Sequence, residues 1–90
     1  MAMVEEMTSG NLSITLVENI ARENFPSHAK QWIAKLGAKV CNGASDLDVV
    51  LLEIELSGEL FYLAWDIWQN AITLESTSAN GDKIIENLKV

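Results

Sequence analysis

The chain has 90 residues, 49% of them apolar, and a net charge of −7. That length makes one domain, and the acidity, with six basic residues spread from Arg22 to Lys89, argues against binding a phosphate backbone or an anionic membrane, which needs clustered lysine and arginine. The longest apolar runs, over 49–52 and 60–65, fall far short of the ~20 residues that span a bilayer; the single cysteine, Cys41, cannot form an internal disulfide, so a cytoplasmic protein is expected.

Residues 1–10, "MAMVEEMTSG", show no period and lack the apolar run of a secretory signal. They read as a flexible N-terminal tail ahead of a single α+β domain over 11–90. "NLSITLV" then alternates, with Leu12, Ile14 and Leu16 on one side and Ser13 and Thr15 on the other, as a half-buried strand does. "ENIAREN" is a connection holding at most one helical turn. The clearest helix follows over 25–36, where Phe25, Ala29, Trp32, Ile33 and Leu36 form one apolar stripe. Asn24 is the expected N-cap, Pro26 fits the first turn, and Gly37 is the expected left-handed C-terminal residue.

"AKVC" reads as a short strand that ends in a turn cluster, "NGASD". "VVLLEIEL" is the next strand, with Val50, Leu52, Ile54 and Leu56 on one face. Ser57-Gly58 separates it from "ELFYLAWD" and signals a two-residue hairpin. That loop sets Ile54 opposite Phe61, Leu52 opposite Leu63 and Val50 opposite Trp65, an all-apolar face. Its other face pairs Glu55 with Leu60, Glu53 with Tyr62 and Leu51 with Ala64. A three-residue loop would instead put Phe61, Leu63 and Trp65 on the face of Glu53 and Glu55, so burial selects the shorter loop. A four-residue loop over 67–70 then sets Trp65 opposite Ile72 and Leu63 opposite Leu74, continuing the apolar face. A helix over 60–71 is the rival, but it would be apolar almost all round. "DKIIENLKV" reads as a short C-terminal helix, with an extra strand as the alternative.

The segments "G-E-L-F-Y-L-A-W-D" and "A-I-T-L-E-S" resemble a family of small uncharacterised bacterial domains of unknown function. In that family a "G-x-x-x-x-L-x-x-E" strand leads into a final strand reading like "W-L-E". The likeness covers residues 12–77. This chain has Thr73 where the family pattern has Trp and Asp66 near the expected Glu. The resemblance implies an α+β fold and brings no activity and no site residues.

Little in the chain suggests catalysis. His28 and Cys41 are single residues of their kind on different elements, too few for a metal site, and no nucleophile signature surrounds Cys41. Cys41 is expected to be a buried structural thiol, with a thiol enzyme as a remote reading. Asn42, Asp46 and Asp48 are read as one solvated loop, their spacing unlike a calcium loop. No nucleotide-binding fingerprint occurs. Catalytic, cofactor and metal residues are therefore expected to be none.

The expected fold is two-layer α+β: a mostly antiparallel sheet of four or five strands, one main helix on one face, and a short C-terminal helix. Its dry face comprises Leu12, Ile14, Leu16, Val50, Leu52, Ile54, Phe61, Leu63, Trp65, Ile72 and Leu74. The second face carries the candidate partner-binding residues Glu53, Glu55, Leu60, Tyr62 and Asp66, with Trp68 at the adjoining turn. Trp68 is expected to fold back onto the core. A non-enzymatic protein-binding or adaptor domain follows, engaging a protein partner or a second copy. The alternative is an acidic inhibitor or immunity-type protein that neutralises a basic enzyme.

Overall fold

Two positive backbone angles, φ 54° at Ser57 and 81° at Gly58, close a two-residue hairpin whose twist matches that of the flanking strands. In the computed structural model, which describes residues 4–46 and 48–88, this hairpin joins β4 (Val49–Leu56) to β5 (Glu59–Asp66). Every register pair expected across it is present, from Val50↔Trp65 to Glu55↔Leu60. The four-residue loop over 67–70 leads to β6 (Ala71–Ser76), again with Trp65↔Ile72 and Leu63↔Leu74. Asp66 closes that loop: its Oδ1 accepts the Gln69 N–H at 2.8 Å and its carbonyl accepts the Asn70 N–H at 2.9 Å.

The described residues form six strands rather than the expected four or five. β1 (Val4–Glu6) and β2 (Leu12–Val17) make an N-terminal hairpin, and β3 (Lys39–Ser45) lies outside β4. The order is β1-β2-β6-β5-β4-β3, antiparallel throughout. Val4–Glu6 pairs with β2 where only a tail was expected; residues 1–3 of that tail lie outside the described residues. β3 runs on through Asn42–Gly43–Ala44–Ser45, where the sequence leads one to expect a turn. Eight-residue β4 offers a partner for all of it, and an edge strand tolerates Asn, Gly and Ser because nothing packs beyond it. A bulge between Val40 and Asn42 adjusts the register. β3 ends at Ser45 and β4 begins at Val49, and residue 47 between them lies outside the described residues.

The main helix, α1 (Phe25–Leu36), has the expected bounds. Gly37 ends it at φ 71°, and Pro26 stands in its first turn. Asn24 precedes it without a capping side-chain bond; a single 3-10 turn over Arg22–Asn24 leads in. The C-terminal helix, α2 (Ala79–Asn87), starts three residues before the expected Asp82 because Ser78 caps it, its Oγ accepting the Gly81 N–H at 3.0 Å. Residues 89 and 90 of the expected segment lie outside the described residues. No helix among the described residues is long and apolar enough to cross a membrane.

Both helices pack on the same side of the sheet. Phe25 and Ala29 of α1 and Ile85 of α2 join Ile14, Ile54, Phe61, Leu63, Trp65, Ile72 and Leu74 in one core. All eleven expected dry-face residues belong to it, Leu12, Leu16, Val50 and Leu52 at its margin. Two hydrogen bonds fix the connections over this face. The Trp65 Nε1–H donates to the buried carbonyl of Ile20 at 2.7 Å, pinning the β2–α1 connection to the sheet. Asp82 Oδ1 accepts the Leu12 N–H at 2.8 Å, tying α2 to β2.

Two substitutions test this layer. Trp65→Phe keeps an aromatic core residue but strands the Ile20 carbonyl, and urea unfolding should show a loss of about 1–3 kcal/mol. A Cβ at Gly81 would stand 2.5 Å from Ser76 Oγ and 3.4 Å from Phe61 Cζ. Helix propensity favours Ala there by ~1 kcal/mol, yet Gly81→Ala should destabilise, and removing the hydroxyl with Ser76→Ala should recover part of the loss.

Candidate functional site

With α1 and α2 on one side, no element among the described residues covers the opposite sheet face. Alternation along each strand decides what stands there. The registers align one row across all six strands: Glu5, Ser13, Glu75, Tyr62, Glu53 and Asn42. Tyr62 therefore has a carboxylate on each neighbouring strand. The adjacent row is made of small or short residues, Thr15, Thr73, Ala64, Leu51 and Ala44. A shallow trough results, with Ala64 buried at its floor. Beside Asn42, Gly43 and Ala44 of β3 it deepens into a recess of about 240 Å³ next to Tyr62 and Glu53.

Five of the six expected partner-binding residues share this face: Glu53, Glu55, Leu60, Tyr62 and Asp66, all on β4 and β5. Glu55 and Leu60 are exposed; Glu53, Tyr62 and Asp66 are half-buried. Asp66 spends one carboxylate oxygen on its own turn. Trp68 is 75% exposed at the β5–β6 loop, beside exposed Ile67, so it does not fold back. The loop is already held from both sides, by Asp66 and by the Ile67 N–H donating to the Asp48 carbonyl at 2.9 Å. The core position near the loop is taken by Ile20, whose N–H donates to the Asn70 carbonyl.

Glu75 had not been singled out. The register that sets Leu63 opposite Leu74 also sets Tyr62 opposite Glu75, so the signal was present in the spacing. Burial pushes the Glu75 carboxyl above its ordinary value of 4.5; the hydrogen bond from Thr73 opposes this, and the Asp66 charge adds to the rise.

Cys41, expected to be buried, is exposed on the edge strand β3. The bulge and the place of β3 at the end of the strand order leave it in solvent, and no hydrogen bond among the described residues joins it to half-buried His28. Asn42 belongs to β3, not to a loop with Asp46 and Asp48. Among the described residues no three His, Cys, Asp or Glu side chains are grouped to hold a metal ion.

The family model of DUF3630, a protein of unknown function, matches residues 2–89, and the chain belongs to that family. No curated protein matches it, and no solved structure does.

The Glu75 shift carries a pH signature. A carboxyl whose folded value lies above its unfolded value binds its proton more tightly in the folded protein. Its contribution to stability is therefore most favourable below the ordinary value of 4.5 and declines as pH rises through the raised value. Glu75→Gln should raise the Tm at neutral pH, with the difference from the parent vanishing near about pH 3.

Proposed function

We propose that this DUF3630 domain is a non-enzymatic, cytoplasmic protein-binding module whose contact surface is the uncovered acidic face of its sheet. The observation that supports the reading most is Tyr62 held between Glu53 and Glu75 beside an open recess. An arginine or lysine of a basic partner could enter that recess, lie against the Tyr62 ring and meet the Glu53 carboxylate. Thr73, Ala64 and Leu51 would supply short, mostly apolar floor contacts, as the centre of an interface requires. Trp68 and Ile67 would add an apolar contact at the end of the face.

The partner class follows from charge. A second copy bound face to face would set Glu53, Glu75 and Glu55 against the same carboxylates. A basic protein meets no such repulsion. If that protein is an enzyme, the same surface would serve an acidic inhibitor or immunity-type protein, the charge of the face being what favours this version.

Capture of partners from native cytosol on the immobilised chain should enrich basic proteins, and binding of the leading one should weaken steeply between low and high salt. Glu53→Arg should reduce affinity by about tenfold or more, as expected when an attractive interfacial charge becomes repulsive. Salt-independent binding, or affinity untouched by Glu53→Arg, would remove the acidic face as the contact.

A further inference from the structure

The two edges of the sheet are not alike. β1 is three residues long and two of them are glutamates, so shortness and charge both discourage another strand. β3, at the other end of the order, has seven residues, and every one of them is exposed. Its one charge is Lys39, at its start; Val40 to Ser45 are uncharged and include no proline. The bulge at Cys41 interrupts this edge, but Asn42 to Ser45 run on in register beyond it. The chain carries a net charge of −7, yet residues 24–45, which form α1 and β3, contain no Asp or Glu. This edge is therefore where another acidic body can approach with least repulsion.

The backbone groups on offer can be assigned. The Asp46 N–H donates to the Val49 carbonyl. In an antiparallel ladder such bonds fall on alternate residues, so Ala44 and Asn42 bond toward β4, and Gly43 and Ser45 turn their N–H and C=O groups outward. The Gly43 N–H is held by the exposed Asn42 side chain at 2.8 Å, a contact that an arriving carbonyl can replace. Two β3 strands laid antiparallel about Gly43 satisfy each other. The Gly43 of one copy exchanges both backbone bonds with the Gly43 of the other, and neither brings a side chain to the axis. On the acidic face, Asn42 of each copy then stands beside Ala44 of the other. The Lys39 end of each strand meets the other's Asp46 end, where Asp46 and Asp48 outnumber Arg22, so the ends do not repel.

We propose that two copies of this chain join edge to edge through β3, antiparallel about a twofold axis at Gly43, into one continuous sheet with six strands from each copy. Self-complementarity selects a second copy as the occupant of this edge: equal length, small residues at the centre, a cation at one end and carboxylates at the other. The pairing also completes a site. Asn42, Gly43 and Ala44 form the outer side of the recess beside Tyr62 and Glu53, and Asn42 and Ala44 of the second copy extend that side. The two β4 strands lie three strand spacings apart, about 14 Å. Their Glu53 carboxylates are thus farther apart than the ~8 Å over which exposed charges act at physiological salt. The acidic faces stay open, so this pairing stands or falls independently of the partner proposed for them.

Sedimentation of the full chain should show a reversible monomer–dimer equilibrium. One strand pair with small side chains buries less than the ~1,600 Å² of a standard interface, so its midpoint is expected at roughly micromolar concentration or above. In the dimer the Gly43 and Ser45 amides should exchange about tenfold more slowly than at high dilution. Ser45→Pro removes an outward N–H and no bond to β4, a place where an edge strand accepts proline. It should leave the circular dichroism spectrum unchanged and raise the dimerisation midpoint about tenfold or more. If that variant unfolds, amide exchange of the parent chain decides the question by itself. A strict monomer at every attainable concentration, a dimer whose Gly43 and Ser45 amides exchange as in the monomer, or protection of those amides only by a different protein would each overturn the proposal.

Discussion

Among the described residues, two helices of twelve and nine residues lie on a six-stranded sheet. They cover one face, and everything else follows from that shortage. Large apolar side chains gather where the helices are, at alternate positions of the central strands. The other face cannot afford them. It takes short side chains at its centre and carboxylates around a tyrosine, which water can reach and which do not invite collapse. Where even α1 runs short, over the outer half of β4 and β3, the helical side itself is left open as a cleft.

The sequence made the middle of this molecule legible because burial there is one-sided and strict. Ser57-Gly58 left one register with three large apolar pairs on a face, and the structure has that register. α1 was readable for the same reason: Phe25, Ala29 and Ile33 recur with the helical period, and Gly37 stops them. The margins were harder. β3 and β1 are edge strands, and the residues of β3 are exposed on both faces, so no alternation marks it. Asn42-Gly43 reads as a turn when nothing in the local sequence shows that β4 waits beside it. Trp68 was misjudged because a local reading could not see Ile20 already seated near the loop. Of the candidate site, the β4–β5 residues were visible and Glu75 was not, although its place was implied by the pairing of Leu63 with Leu74.

The two open surfaces meet at Gly43, Ala44 and Leu51. Gly43 borders both the acidic recess beside Tyr62 and the apolar cleft beneath α1. At that point the sheet is a single backbone thick, with no side chain on either side. A segment that straightened or lifted β3 from one side would reshape the other. The bulge beside it and the small residues that follow leave β3 few side chains to hold it in place.

The strand order also bears on how the chain is made. β2 lies between β1 and β6. Its main partner therefore leaves the ribosome only after nearly the whole domain has been synthesised. Until then Ile14, later buried in the core, has only the three-residue β1 beside its strand. The meander from β3 to β6 can assemble as it emerges, one neighbour at a time. The N-terminal hairpin must wait and then join at the far side, where Asp82 of the last helix accepts the N–H of Leu12. β1 and β2 are thus among the last strands of the domain to be locked, and the domain is most exposed to wrong pairing just before β6 and α2 emerge.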